Sequence, residues 1–420
     1  MPVGQSMNRL LVVLLAAGIE TAVLAGPRQS TPQTSQQQPV FRASVDLLRV
    51  DVQVVGNDGR PVPSLVLEDF EVEIDGRPAR AVSAELVQYS ETAGRLDATV
   101  PIRTPGHVPE DSRVYVIAVD QPGFSTAAIM PIRRALQQFV NQLRPEDMVG
   151  LYEFPFREPL LDVTHDHAQV VRGFNRIVGQ LEPGIGVFSL TPSEIIDITA
   201  RDGDALARVV RRECDPGDTT CPDAVRQEAS ALAGFLEADA QMRLNALSNL
   251  MRGLGRFPGR KNVVLVSGGM VSSTRVAGRP DVSVLMGRVG DETAAADAAL
   301  YVLHWDNTFL DAYSAANRPT RNPADRFESM FADRHAIGQG LEMIAGKAGG
   351  ALLRVEAGTG ENAFARVLLE TSAYYLLGVE PPEAERDGKP HFLRVTVKGR
   401  GMTVRVRSKV MIPRRPTTMP

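Results

Sequence analysis

Arg113-Val-Tyr-Val-Ile-Ala-Val-Asp120 is an almost unbroken apolar run that ends in a carboxylate. A strand with one wet face alternates apolar and polar residues. An unbroken run needs cover on both faces, as in a buried parallel strand, and here the acid falls at its C-terminal edge. Working outward, Pro131 to Leu143 places Ile132, Leu136, Phe139, Val140 and Leu143 on one helical face. Asp147 to Phe154, Asn262-Val-Val-Leu-Val-Ser267, Leu300-Tyr-Val-Leu-His304 and the shorter Ala351 to Val355 read as further strands. Between them Val163 to Leu181 reads as a turn and a helix. Ala224 to Leu254, His335 to Lys347 and Asn362 to Leu369 read as helices, and Ala294 to Ala299 ends another. Alternating strand and helix predict the α/β class, with a doubly wound, mostly parallel sheet.

The flanks have a different texture. Val45, Leu47, Val50, Val52 and Val54 precede the turn Gly56-Asn-Asp-Gly59, and Phe70, Val72 and Ile74 alternate with charges. After the α/β region, Tyr374 to Val379 is apolar, Phe392, Val395 and Val397 share a strand, and Val404 and Val406 alternate with arginines. The tail has too few strands for its own core, so it is expected to pack with the N-terminal strands. The expected division is a signal peptide at 1–25, a flexible linker at 26–39, an N-terminal β module at 40–90, an α/β domain at 110–370 and a C-terminal β segment at 371–413.

The leader rests on Met7-Asn8-Arg9, the apolar run Leu10 to Gly18 and the small residues of Val23-Leu24-Ala25. An uncleaved N-terminal anchor is the alternative. No cysteine stands near the cleavage point to carry a lipid. No later stretch reaches the ~18 unbroken apolar residues of a membrane helix, so no stable span is expected after cleavage. The expected location is exported, periplasmic or extracellular. Of 420 residues, 43% are hydrophobic and 23% charged, which excludes wholesale disorder. A net charge of −4 offers no global basic field, so nucleic acid is not an expected partner. The two cysteines, in Cys214-Asp-Pro-Gly-Asp-Thr-Thr-Cys221, read as a disulfide-closed loop in an exported chain. A metal pair would need further Cys or His ligands nearby.

The order of elements resembles a von Willebrand factor A domain. It rests on the strand ending in Asp120, the following helix, Met148-Val-Gly-Leu-Tyr-Glu-Phe154, and Gly259-Arg-Lys-Asn-Val-Val-Leu-Val-Ser-Gly-Gly-Met270. Val50-Asp-Val-Gln-Val-Val-Gly-Asn-Asp-Gly-Arg-Pro-Val62, Leu67-Glu-Asp-Phe-Glu-Val-Glu-Ile-Asp-Gly76 and Tyr374-Tyr-Leu-Leu-Gly378 look like the bacterial von Willebrand A-related family typical of Acidobacteria. The resemblance implies a Rossmann-like sheet and an exported protein. It also implies a place for Mg²⁺ at the C-terminal sheet edge, built on Asp-x-Ser-x-Ser plus a later Thr and Asp.

Here the first loop reads Asp120-Gln121-Pro122-Gly123-Phe124-Ser125. Pro122 and Phe124 stand in the two serine positions, and neither can ligate. Gly268 stands where the later acid is expected. Mg²⁺ wants near-octahedral oxygen coordination and dehydrates reluctantly. No cofactor is therefore expected, Mg²⁺ included. If a metal bound, Asp120, Ser125 and Thr191 would be its ligands. Otherwise Asp120 is expected to cap the following loop through backbone N–H groups.

Other candidates are His165-Asp166-His167 with Asp162, as a strand-edge metal site or a solvated turn with Asp166 as helix N-cap. Ser267, His304 and Asp306 follow neighbouring strands and form a conceivable catalytic grouping. Ser267 lacks the preceding glycine of a nucleophile elbow, since residue 265 is Leu. Arg208, Arg211 and Arg212 beside Glu213 read as a solvated helix face. The resulting expectation is an exported, non-enzymatic protein-interaction or adhesion module with a degenerate metal site. Its partner would be a protein or envelope component. The alternatives are a structural part of an envelope assembly and a hydrolase with an unrecognised site at the sheet edge.

Overall fold

A computed structural model describes residues 47–89, 112–155, 159–181, 186–307, 324–356 and 360–414. The expected signal peptide and linker, 1–25 and 26–39, lie outside the described residues. The described chain opens with β1 (Leu48–Gly56), β2 (Phe70–Ile74) and β3 (Arg77–Gln88). It continues through β4 (Val114–Asp120), α1 (Thr126–Asn141), β5 (Met148–Phe154), β6 (Pro159–Thr164), α2 (His167–Gly173), α3 (Pro192–Thr199), α4 (Gly203–Glu213) and α5 (Cys221–Leu254). Then come β7 (Lys261–Ser267), α6 (Ser283–Ala295), β8 (Ala298–Trp305), α7 (Ala324–Lys347), β9 (Ala351–Val355) and α8 (Gly360–Glu370). It closes with β10 (Ala373–Glu380), β11 (Pro390–Val397), β12 (Met402–Arg405) and β13 (Lys409–Met411).

Among the described residues the strands form two sheets, and both belong to one folded unit. The first has the order β6-β5-β4-β7-β8-β9. Its strands are parallel except β6, which runs antiparallel to β5. In order of appearance this is 3-2-1-4-5-6, the doubly wound arrangement that reverses direction between its first and fourth strands. Successive side chains of β4 point to opposite faces. Val114, Val116 and Ala118 pack with Leu244 and Leu247 of α5, Met286 and Val289 of α6 and Leu341 and Ile344 of α7. Tyr115, Ile117 and Val119 pack with Ile132 and Phe139 of α1, Val170 of α2 and Phe364 and Val367 of α8. That two-sided burial is why the run carries no alternation. Phe139 meets the Tyr115 ring edge-on at 5.4 Å and lies 5.1 Å from Phe364, so an alanine there costs about 3–5 kcal/mol.

The expectation for Val163 to Leu181 needs correction. Its start belongs to β6, the antiparallel edge strand, and the helix is confined to α2. The edge strand is short and half exposed, with Pro159 at its start, so it lacks a buried strand's apolar run.

The second sheet is antiparallel throughout, in the order β12-β1-β10-β3-β2-β11-β13. β10 lies between β1 and β3, with Leu48 opposite Val379 and Leu86 opposite Tyr375. Segments from both ends of the described chain thus share one core of Val50, Val52, Phe70, Ile74, Leu377 and Leu393. Polar groups join the sheets. Tyr301 of β8 donates its hydroxyl to Gln53 Oε1 at 2.9 Å, and Gln53 Nε2 donates to the Glu370 carbonyl at 3.0 Å.

Cys214, just past α4, is disulfide-bonded to Cys221, which opens α5. Between them Gly217 takes φ +93°, a backbone region that a Cβ disfavours.

Candidate functional site at the sheet edge

In doubly wound sheets, ligands bind outside the carboxyl ends of the strands where strand order reverses. Here that point lies between Asp120, the last residue of β4, and Ser267, the last of β7. Asp120 is fully buried. Arg243 of α5 donates from Nη1 to its Oδ2 at 2.6 Å, and Ser267 Oγ donates to the same oxygen at 2.6 Å. The same Arg243 Nη1 donates to the Gly269 carbonyl at 3.1 Å. Its Nη2 lies 2.9 Å from Asp239, one helical turn earlier. Burial pushes the Asp120 carboxyl up, against the pull of Arg243 and the Ser267 hydroxyl. Burial acts the opposite way on Arg243, but Asp120 and Asp239 outweigh it and hold the guanidinium above its usual range.

The crevice above this pair is closed by backbone. A Cβ on Gly268 would stand 2.2 Å from the Gly123 carbonyl oxygen, so the loops after β4 and β7 touch directly. A Cβ on Gly123 would come 2.6 Å from Asp120 Oδ2. Phe124 is fully buried beneath that loop. The cavity lined by Asp120, Arg243, Ser267 and Leu341 has a volume of about 10 Å³, at the lower limit for one water.

These residues do not fit the divalent ion that the resemblance implies. Arg243 already supplies the positive charge on Asp120. At a separation of about 5 Å a divalent ion and a guanidinium repel by about 7 kcal/mol at an effective dielectric of 20. Ser125 stands at the N-cap position of α1 without a capping side-chain bond, whereas Thr191 caps α3. Thr191 Oγ1 accepts from Glu194 N at 3.4 Å while Thr191 N donates to Glu194 Oε2 at 3.0 Å, a reciprocal capping box. The capping expected for Asp120 is met in part, since the Gly123 backbone N–H helps hold its carboxyl down. Arg243 and Ser267, both remote in sequence, donate its side-chain hydrogen bonds.

Ser267, His304 and Asp306 do not assemble into a catalytic grouping. The Ser267 hydroxyl faces Asp120, not the imidazole. His304 is buried, and burial pushes its pKa down against the opposing pull of Asp306 and the Gly268 backbone. Asp306 pairs with Arg334. Asp166 caps α2 by accepting from Gln169 N at 2.9 Å, and Asp162 is exposed on β6. His167 Nε2 lies 2.8 Å from the Asp147 carbonyl oxygen. The arginine face divides. Arg208 and Arg211 are exposed, whereas Arg212 is buried, with Nη1 2.6 Å from Glu194 Oε1 and Nε 2.9 Å from Glu213 Oε1. The short α3, whose Glu194 sits behind α4, draws Arg212 inward.

Sequence reasoning missed Arg243. A signal existed: it lies between Ala240 and Leu244 on the buried face of α5, where a charge requires a partner, and Asp239 supplies only one.

No family model matches the chain, and no curated protein matches it. Among solved structures, the SpRpn10 VWA domain aligns over 60% of this chain and 93% of its own, at 11% identity and a TM-score of 0.27. Among the described residues no helix is long and apolar enough to cross a membrane.

Proposed function

We propose that this protein is an exported, non-enzymatic protein-interaction module. It is built on a von Willebrand A-like domain whose cation position is taken by Arg243. The observation that carries the reading is the Asp120–Arg243–Ser267 cluster. The point where this topology ordinarily receives a ligand or metal is filled by an internal guanidinium and roofed by the Gly123–Gly268 contact. Recognition then falls to the exposed surface around the strand ends, through packing and hydrogen bonds. The disulfide between Cys214 and Cys221 suits an oxidising compartment.

The test is purification of the native protein from envelope extract after mild crosslinking, with the bound protein identified. A stoichiometric partner retained on the full chain supports the reading. Turnover of an ester, peptide or glycoside substrate that is lost in Ser267→Ala would overturn it in favour of a hydrolase.

A further inference from the structure

The segment α3–α4 and helix α7 enclose a cleft of about 290 Å³. Its position follows from a chain of contacts. Asp306, just beyond β8, pairs with Arg334 of α7. The neighbouring Asp333 accepts from Ser193 N at 2.9 Å and from Ser193 Oγ at 2.6 Å, at the start of α3. The cleft therefore lies on the carboxyl side of the parallel strands, the side of Asp120 and Ser267.

Among the described residues two carboxylates line the cleft, and both are taken. Glu194 accepts from Arg212 Nη1 at 2.6 Å and Nη2 at 3.0 Å, and Asp197 pairs with Arg275. Arg208 and Arg211 also line it. They lie three residues apart on α4, are exposed, and have no acidic partner among the described residues. Arginine is enriched where proteins bind proteins.

We propose, resting on the interaction-module reading above, that this cleft receives an acidic segment of a protein partner. Arg208 and Arg211 pair with its carboxylates. Their guanidiniums match carboxylates, because a planar fork of N–H donors meets them bidentately.

The test is selection of a displayed random 12-residue peptide library on the full-length protein, followed by anisotropy with the synthesised winners. The expected winners are acidic. They should bind Arg208→Glu/Arg211→Glu at least tenfold more weakly, with affinity falling as salt rises. Arg208→Gln/Arg211→Gln guards against a folding artefact and should lose affinity with an unchanged melting midpoint. Basic or neutral winners, winners that bind the charge-reversed variant equally well, or failure to enrich any peptide would overturn the acidic-cleft assignment. So would a concentration-dependent homodimer abolished by the same variants, which would make the occupant a second copy. Retention of the native envelope partner by Arg208→Glu/Arg211→Glu would also overturn it while leaving the interaction-module reading intact. Absence of any partner on the wild type would instead remove that reading.

Discussion

Arg243 reaches from α5 to place its Nη1 2.6 Å from Oδ2 of Asp120, 123 residues away in sequence. The pair ties the helix to the end of the central strand at the one point where this topology leaves a natural crevice. A buried ion pair is weak evidence for stability as a whole, but breaking one leaves an uncompensated charge in the interior.

Asp120→Ala and Arg243→Ala are each expected to destabilise by about 3–5 kcal/mol in urea unfolding. The joint replacement Asp120→Asn/Arg243→Met should cost less than the sum of the single changes, because no lone charge remains. A cost for Asp120→Ala of only about 1 kcal/mol, as for a lost helix cap, would remove the pair from its structural role.

Thermal midpoints with millimolar Mg²⁺, with Mn²⁺ and with EDTA are expected to coincide. A metal bound at a hundredfold excess over Kd would add about 2.7 kcal/mol, or a rise of roughly 3 °C in a chain of this size. Such a rise, lost in Asp120→Ala, would show that a cation displaces the guanidinium and would return Ser125 and Thr191 to consideration as ligands.

The disulfide spans a sequence separation of 7 and joins the end of α4 to the start of α5. Loop-closure entropy for so short a loop gives about 2.5 kcal/mol. Cys214→Ser/Cys221→Ser should lower stability by up to that amount in denaturant unfolding. Non-reducing peptide mapping of the native protein should recover the two cysteines as one crosslinked peptide.

His391 of β11 lies between two carboxylates, with Nδ1 2.7 Å from Asp75 Oδ2 and Nε2 3.0 Å from Asp387 Oδ1. The hydrogen bond with Asp75 leads in raising its pKa above the ordinary histidine value, and that with Asp387 adds to it. The unfolded chain titrates near 6.5. The stabilisation from His391 is therefore complete below about pH 6.5 and is lost as pH rises through the elevated folded value. His304 has the opposite sign. Burial depresses its pKa, so its contribution is present above about pH 6.5 and is lost as pH falls through the depressed folded value. Unfolding measured from pH 5 to 8 should show the His391→Gln variant losing most stability, relative to wild type, at the acid end. An NMR titration placing the His391 midpoint below 6.5 would contradict this.

Much of the architecture was legible because burial on two faces leaves a mark in one dimension. Arg113 to Asp120 has to be covered from both sides, and the recurring strand–helix units leave few arrangements that do so. The edge strand Pro159–Thr164 was not legible, because a short, half-exposed strand has neither an apolar run nor a clean alternation. The sequence also shows that Pro122, Phe124 and Gly268 offer no side-chain oxygen at the sheet edge.

What stands there instead could not be read along the chain. An arginine in a helix declares only its neighbours three and four residues away, and for Arg243 that neighbour is Asp239. The sequence by itself determined which elements form, which faces they bury and which of these sheet-edge positions offer no side-chain oxygen, because those depend on residue type and local periodicity. Only the tertiary structure decided that Arg243 meets Asp120, that Gly123 touches Gly268, and that Arg212 turns inward while Arg208 and Arg211 stay in water. Each of these depends on how distant helices pack across the sheet, and charge pairing over such separations leaves no periodic trace.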